Sequence, residues 1–156
     1  MKLVWKFITI TITAMVMTTI KQAQNYCDKT GARLTDPRRY VLDILSKAKK
    51  AMTAYDILES LGAYLDKPKP PTAYRAIEFW EKAGFIHRIE SLNAYILCSA
   101  GHVHDGSQFM ICDDCGNVSE AHLCHLPDNL KGKANDNGFN VSHWSVELHG
   151  QCAKCS

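Results

Sequence analysis

Two cysteine pairs constrain this chain more than any other feature: Cys112-Asp-Asp-Cys115 and, after 36 intervening residues, Cys152-Ala-Lys-Cys155. A C-x-x-C turn brings two thiolates to one ion, and zinc prefers four tetrahedral ligands, so two such turns form a closed structural site. The spacer is longer than in a compact zinc ribbon. A fold that closes the site must therefore carry the last residues back beside the strand near Cys112. Redox dithiols and disulfides are the competing uses of the pattern. A thioredoxin-like pair needs a βαβ setting that the sequence lacks, and disulfides need an exported chain.

The first twenty residues argue against export. The run LVWKFITITITAMVMTTI with Lys2 and Lys6 has the outline of a signal peptide. Lys6 interrupts its apolar core, five threonines dilute it, and Lys21 and Gln22 stand before Ala23 where a signal peptidase needs small residues. The stretch after Lys6 is also shorter than the ~20 residues that span a bilayer. Residues 1–20 are read as an upstream extension or a misplaced start, and a reducing, cytoplasmic setting with no membrane partner is expected.

Charge divides the remainder. The 156 residues carry a net charge of only +2. Residues 21–95 nevertheless hold 13 Lys and Arg against 9 Asp and Glu, while residues 96–156 hold 3 against 7. Only the first block is suited to a polyanion. The expected organisation is a DNA-binding unit over 21–98, a hinge over 99–107 containing Gly101, Gly106, His102 and His104, and an acidic, zinc-stabilised unit over 108–156.

The basic block reads as short helices followed by a hairpin. One helix runs from about Lys21 to Lys29 and stops at Gly31. A second follows Thr35 as N-cap and Pro37 in the first turn, with Tyr40, Val41, Ile44 and Leu45 at helical spacing. A third, capped by Thr53 and closed by Gly62, aligns Ala54, Ile57, Leu58 and Leu61. The stretch LDKPKPP (65–71) cannot continue it. A fourth helix runs from Pro71-Thr72 to Gly84, burying Ala73, Ile77 and Trp80 and exposing Tyr74, Arg75, Glu78 and Lys82. FIHRIE (85–90) and NAYILC (93–98) form a hairpin about Ser91-Leu92. Such an order makes a winged helix-turn-helix whose helix at 72–83 enters a major groove. The acidic block reads as α+β: strands at 108–112 and 117–122 around Gly116, a helix over 127–136 and a longer strand over 139–150.

A second, less regular set of ligand residues flanks the expected joint: His87 and Cys98 on the hairpin, His102 and His104 in the connection, and Glu120 beyond the first cysteine pair. Singly, such residues are more often packing than ligands. Together, an ion taking His87, Cys98, one connection histidine and Glu120 would draw a ligand from each segment and fix an interdomain angle, as a sensor requires. Cys27 and Cys124 have no evident partner and are read as buried or idle thiols. His122, His125 and His143 are read as surface residues, with a third metal site as the weaker alternative. Enzyme signatures such as HExxH, GxSxG, the P-loop and the zinc deaminase pattern do not occur, and no enzymatic role is expected.

The strings GARLTDPRRYVLDIL, AYDILESL, KPPTAYRAIEFWEKAGFIHRIESLNAYILC, QFMICDDCGNVSE and ELHGQCAKC resemble the ferric uptake regulator family over about residues 21–156, most closely its zinc-responsive branch. The resemblance implies a metal-responsive dimeric repressor with an N-terminal winged helix and a C-terminal dimerisation unit. It implies a structural zinc on Cys112, Cys115, Cys152 and Cys155 and a regulatory zinc on His87, Cys98, His104 and Glu120, with His102 a rival to His104. Two zinc ions per chain follow. DNA contacts fall to Thr72, Tyr74 and Arg75, on a near-palindromic operator bound by a homodimer. The extension 1–20 has no counterpart in the resemblance. Among sensors, a thiolate such as Cys98 suits zinc rather than ferrous iron or manganese. A relative sensing iron, manganese or peroxide is the nearer alternative, and a zinc hydrolase the remote one.

Overall fold

The computed structural model describes residues 19–98, 106–121 and 125–156. Nearly all of the 1–20 extension, together with His102, His104, His122 and Cys124, lies outside the described residues. Two compact units divide the chain, 1–101 and 102–156. No helix among the described residues is long and apolar enough to cross a membrane.

In the first unit α1, helical over described residues 19–30, ends where Gly31 turns to φ +70°, a left-handed conformation that glycine adopts without steric cost. Helix α2 (Asp36–Lys47) starts after an extended Thr35 with Pro37 in its first turn. The threonine holds the cap position without the expected side-chain hydrogen bond. Val41, Leu42, Ile44 and Leu45 are buried. Helix α3 (Ala54–Leu61) has a full capping box: Thr53 Oγ1 accepts from the Asp56 N–H at 3.2 Å, and an Asp56 carboxylate oxygen accepts from the Thr53 N–H at 2.8 Å.

Helix α4 (Pro70–Lys82) begins one residue earlier than expected, because Pro70 and Pro71 both fit a first turn whose N–H groups have no intrahelical acceptor. It buries Ala73, Ala76, Ile77 and Trp80 and leaves Tyr74, Arg75, Glu78 and Lys82 exposed. These helices enclose one apolar core centred on Trp80, Leu42, Ile57, Leu61 and Ile77.

The wing pairs β2 (Ile86–Ile89) with β3 (Ala94–Leu97) antiparallel, His87 opposite Ile96. Its turn closes through the Asn93 N–H to the Glu90 carbonyl at 3.1 Å, with Asn93 at φ +46°. The short strand β1 (Met52–Thr53) adds to the other edge of β3. Two residues are too few for a period-two pattern, and β1 was not legible in the sequence. Helices and hairpin together form a winged helix-turn-helix.

The second unit is α+β. Strand β4 (Gly106–Cys112) lies between β5 (Val118–Ala121), antiparallel, and β6 (Trp144–Gly150), parallel. A parallel pair needs a crossover, and that crossover contains α5 (Asp128–Asp136). Two expectations are corrected. Gly106 and Ser107 are strand residues, not part of a flexible connection, and 139–143 is not strand: β6 starts only at Trp144. One contact accounts for both ends: the Trp144 indole lies against Gly106, in the space a β-carbon would fill. Phe109 and Ile111 point inward and Met110 outward, while α5 has no buried residue.

Gly106→Ala should therefore destabilise the second unit by about 1–3 kcal/mol through overpacking. Urea unfolding followed by tryptophan fluorescence measures it, and a variant as stable as the parent would refute the contact.

Candidate metal centre

Parallel pairing of β4 and β6 sets Cys112 beside Gly150. Each strand then runs directly into its own C-x-x-C turn. The first turn is closed by the Gly116 N–H to the Cys112 carbonyl at 2.9 Å, with Gly116 at φ +67°. In the second, the Cys155 N–H reaches the Cys152 carbonyl at 2.8 Å. The two turns are joined by the Asp113 N–H to the Gly150 carbonyl at 2.9 Å, and the Cys152 N–H points at Cys112 Sγ from 3.3 Å.

All four sulfurs lie within 4.8 Å of one another. Cys115 and Cys152 Sγ are 3.8 Å apart, and Cys152 and Cys155 Sγ 3.7 Å. A disulfide would put them at ~2.0 Å. Four sulfurs around zinc at bonds of ~2.3 Å stand ~3.8 Å apart along a tetrahedral edge. The donor set and its spacing fit zinc. Free thiols would meet a different electrostatic problem here. N–H donors from Cys115 and Cys152 pull the Cys112 thiol down to about 6. Hydrogen bonds with Cys152, Cys115 and Cys112 push that of Cys155 up to about 12.

Side chains that sequence reading left unassigned brace this centre. His149 Nδ1 is 3.0 Å from an Asp113 carboxylate oxygen, and the Gln151 amide donates to Asp114 at 2.9 Å. Both contacts run from the end of β6 to the two aspartates between the first cysteines. Only the parallel register makes them neighbours, so no local signal could have found them.

His87 is half-buried on β2. Cys98 follows β3, its N–H bonded to the Phe85 carbonyl at 2.9 Å. Because His87 pairs with Ile96, and Cys98 is two residues beyond Ile96, both occupy the same face of the wing. Glu120, half-buried, is opposite Phe109 on β5. His125 and His143 are exposed. Cys27 is fully buried, and burial raises its thiol pKa, as suits an idle core thiol. On α4, Thr72 is half-buried, and Tyr74 and Arg75 are exposed in the first turns.

A winged helix-turn-helix unit followed by an α+β unit whose four cysteine sulfurs stand at zinc-ligand spacing defines the class of architecture. Residues 29–149 match the ferric uptake regulator family model, and the chain belongs to that family. The zinc uptake regulation protein of Escherichia coli (strain K12) is 39% identical over 140 residues, which cover 87% of this chain and 80% of that one. Among solved structures, a zinc uptake regulator complexed with zinc and DNA aligns with TM-score 0.85 at 37% identity, over 90% of this chain and 95% of the other. Holo XcZur aligns with TM-score 0.78 at 33% identity, over 88% and 96%.

Two outcomes follow from the thiolate geometry. Cys112→Ser should lose zinc and, with it, folding of the second unit, since structural zinc contributes on the order of 10–16 kcal/mol coupled to folding. Normal zinc content and unchanged unfolding in that variant would refute the closed site. Because thiols must lose their protons to bind the ion, zinc uptake should release protons and zinc affinity should fall as the pH is lowered. Calorimetry in buffers of differing ionisation enthalpy counts them.

Proposed function

We propose that this chain is a zinc-responsive transcriptional repressor that binds DNA as a homodimer when zinc is plentiful and silences genes for zinc acquisition. The observation that carries the reading is the alignment, at 37% identity and across 90% of the chain, with a zinc uptake regulator complexed with zinc and DNA. The chain's own residues supply the parts. Helix α4 offers Tyr74 and Arg75 for base edges, with Thr72 at its start, and Arg75 can give a guanine two parallel hydrogen bonds. Basic residues concentrate in the same unit, where they serve phosphates. The second unit offers apolar surface for a second copy: Met110, Leu148 and Leu130 are exposed, and Phe139 is 65% exposed. A two-fold dimer reads a near-palindromic operator.

Two zinc ions are proposed per chain. One would be held by Cys112, Cys115, Cys152 and Cys155 as a permanent clamp. The second would be held by His87, Cys98, His104 and Glu120, with His102 competing for the third position. Zinc in a site closed by four protein ligands supplies cross-linking rather than an activated water, which is why a hydrolase is not proposed. What the chain contributes is the segment from which each ligand comes: His87 and Cys98 on the wing beside α4, His104 in the connection and Glu120 on β5. Occupancy of that set would couple the DNA-binding half, 21–98, to the dimerising half, 106–156, across the connection 99–105. The cytoplasm is the proposed compartment, because the thiolates must stay reduced.

The thiolate Cys98 favours zinc over ferrous iron or manganese. Cys98→Ser should keep one zinc per chain and the dimer, yet no longer tighten on DNA when zinc is added. Unchanged zinc-dependent affinity would overturn the sensing assignment. The same titration on His104→Ala and His102→Ala decides between the two histidines. Arg75→Ala should lose about 1–3 kcal/mol of discrimination between a cognate and a scrambled duplex. Footprinting with and without zinc measures it.

A further inference from the structure

Arg38 sits half-buried in the first turn of α2 and makes three contacts that cross the unit. Its carbonyl accepts the Trp80 indole N–H at 2.7 Å. Its guanidinium carbon stands 3.4 Å from the centroid of the Phe79 ring. Nη1 donates to the Arg33 carbonyl at 2.6 Å. One residue thus joins the loop after Gly31, the start of α2 and the C-terminal part of α4. The backbone contact with Trp80 survives any substitution, whereas the other two belong to the arginine side chain.

Phe79 follows Arg75 by four residues, so both lie on one stripe of α4, a turn apart. The guanidinium therefore presses on α4 along the stripe that carries the proposed base-reading side chain. Trp80, the adjacent residue, is fully buried and fixes the depth of the helix in the core. A buried stripe alone leaves rotation about the helix axis less well determined. With a helix radius of ~2.3 Å and a long side chain beyond it, a roll of ~20° moves an arginine tip by about 3 Å. That displacement breaks a bidentate hydrogen bond.

Resting on the DNA-binding reading above, we infer that Arg38 is a positioning residue for sequence recognition: stacked on Phe79 and tied to the Arg33 carbonyl, it sets the roll of α4 and thereby the aim of Arg75. Arg38 itself touches no base. Its loss impairs specificity without removing a phosphate contact.

The test uses the zinc-loaded full chain and two probes: the duplex that the parent selects from a random-sequence pool, and a scrambled version of it. Arg38→Leu should cut the selected-to-scrambled affinity ratio by about tenfold, with zinc content and the salt dependence of binding unchanged. Arg38→Lys should recover part of the ratio, because an ammonium can still lie over the ring. Phe79→Leu should reproduce the loss, and the Arg38→Leu/Phe79→Leu double variant should be no worse than Arg38→Leu alone. A parental ratio in Arg38→Leu overturns the inference. Equal weakening on both duplexes with a shallower salt slope overturns it in favour of a phosphate contact. Multiplicative losses in the double variant overturn the coupling through Phe79. Should Arg38→Leu fail to fold, Arg38→Lys and Phe79→Leu carry the same comparison. A parent that selects no duplex refutes the repressor reading first, and the inference falls with it.

Discussion

The parallel pairing of β4 with β6 is the interaction on which the second unit depends. It is non-local, joining Gly106 to Trp144 and Cys112 to Gly150, and the chain between the strands must be closed into a loop before any contact rewards the closure. Little apolar burial is available to offset that cost. Among the described residues, the buried side chains of this unit are Ser107, Phe109, Ile111, Cys112 and Trp144, and α5 contributes none. A unit of about fifty residues with so small a core needs a staple. The four-thiolate cage sits where β4 and β6 both end, the position at which a cross-link does most to hold the register.

The first unit solves its stability problem differently. Its core draws on four helices and the wing, with Trp80, Leu42, Ile57, Leu61, Ile77 and Ile86 all fully or almost fully buried. Helix α4 is thus fixed by packing rather than by metal. The face it keeps in solvent is free to carry Tyr74 and Arg75. Division of labour follows from composition: the basic block holds the larger apolar core, and the acidic block holds the four cysteines proposed to compensate for a small one.

Local chemistry was legible in the sequence wherever a single residue type decides a backbone state. Gly31 at positive φ, Pro37 and Pro71 in first turns, Thr53 with Asp56, and the wing between Ile86 and Leu97 all follow from side-chain physics within a few residues. The C-x-x-C pairs were legible for the same reason. What the sequence hid was non-local. The strand β1 depends on the exposed edge of β3, the early start of β4 and late start of β6 depend on Trp144 packing over Gly106, and the bracing of Asp113 and Asp114 by His149 and Gln151 depends on a parallel register. Gly106 looked like hinge material because glycine permits mobility; here it is glycine because an indole occupies the place of a side chain.

The two proposed zinc sites differ in the way that their proposed roles require. Cys112, Cys115, Cys152 and Cys155 are all sulfur, come from two turns of one unit and have sulfur spacings already close to a tetrahedral edge. Zinc binding there would be coupled to folding of that unit, and an ion so held would be retained. A set made of His87, Cys98, a connection histidine and Glu120 would mix imidazole, thiolate and carboxylate, and so offer zinc fewer of the soft thiolate ligands that the first set consists of. The same ion would then bind more weakly at the second proposed set than at the first. A weaker site responds to changes in zinc supply only if the stronger one is already full, which makes the clamp a precondition for the sensor.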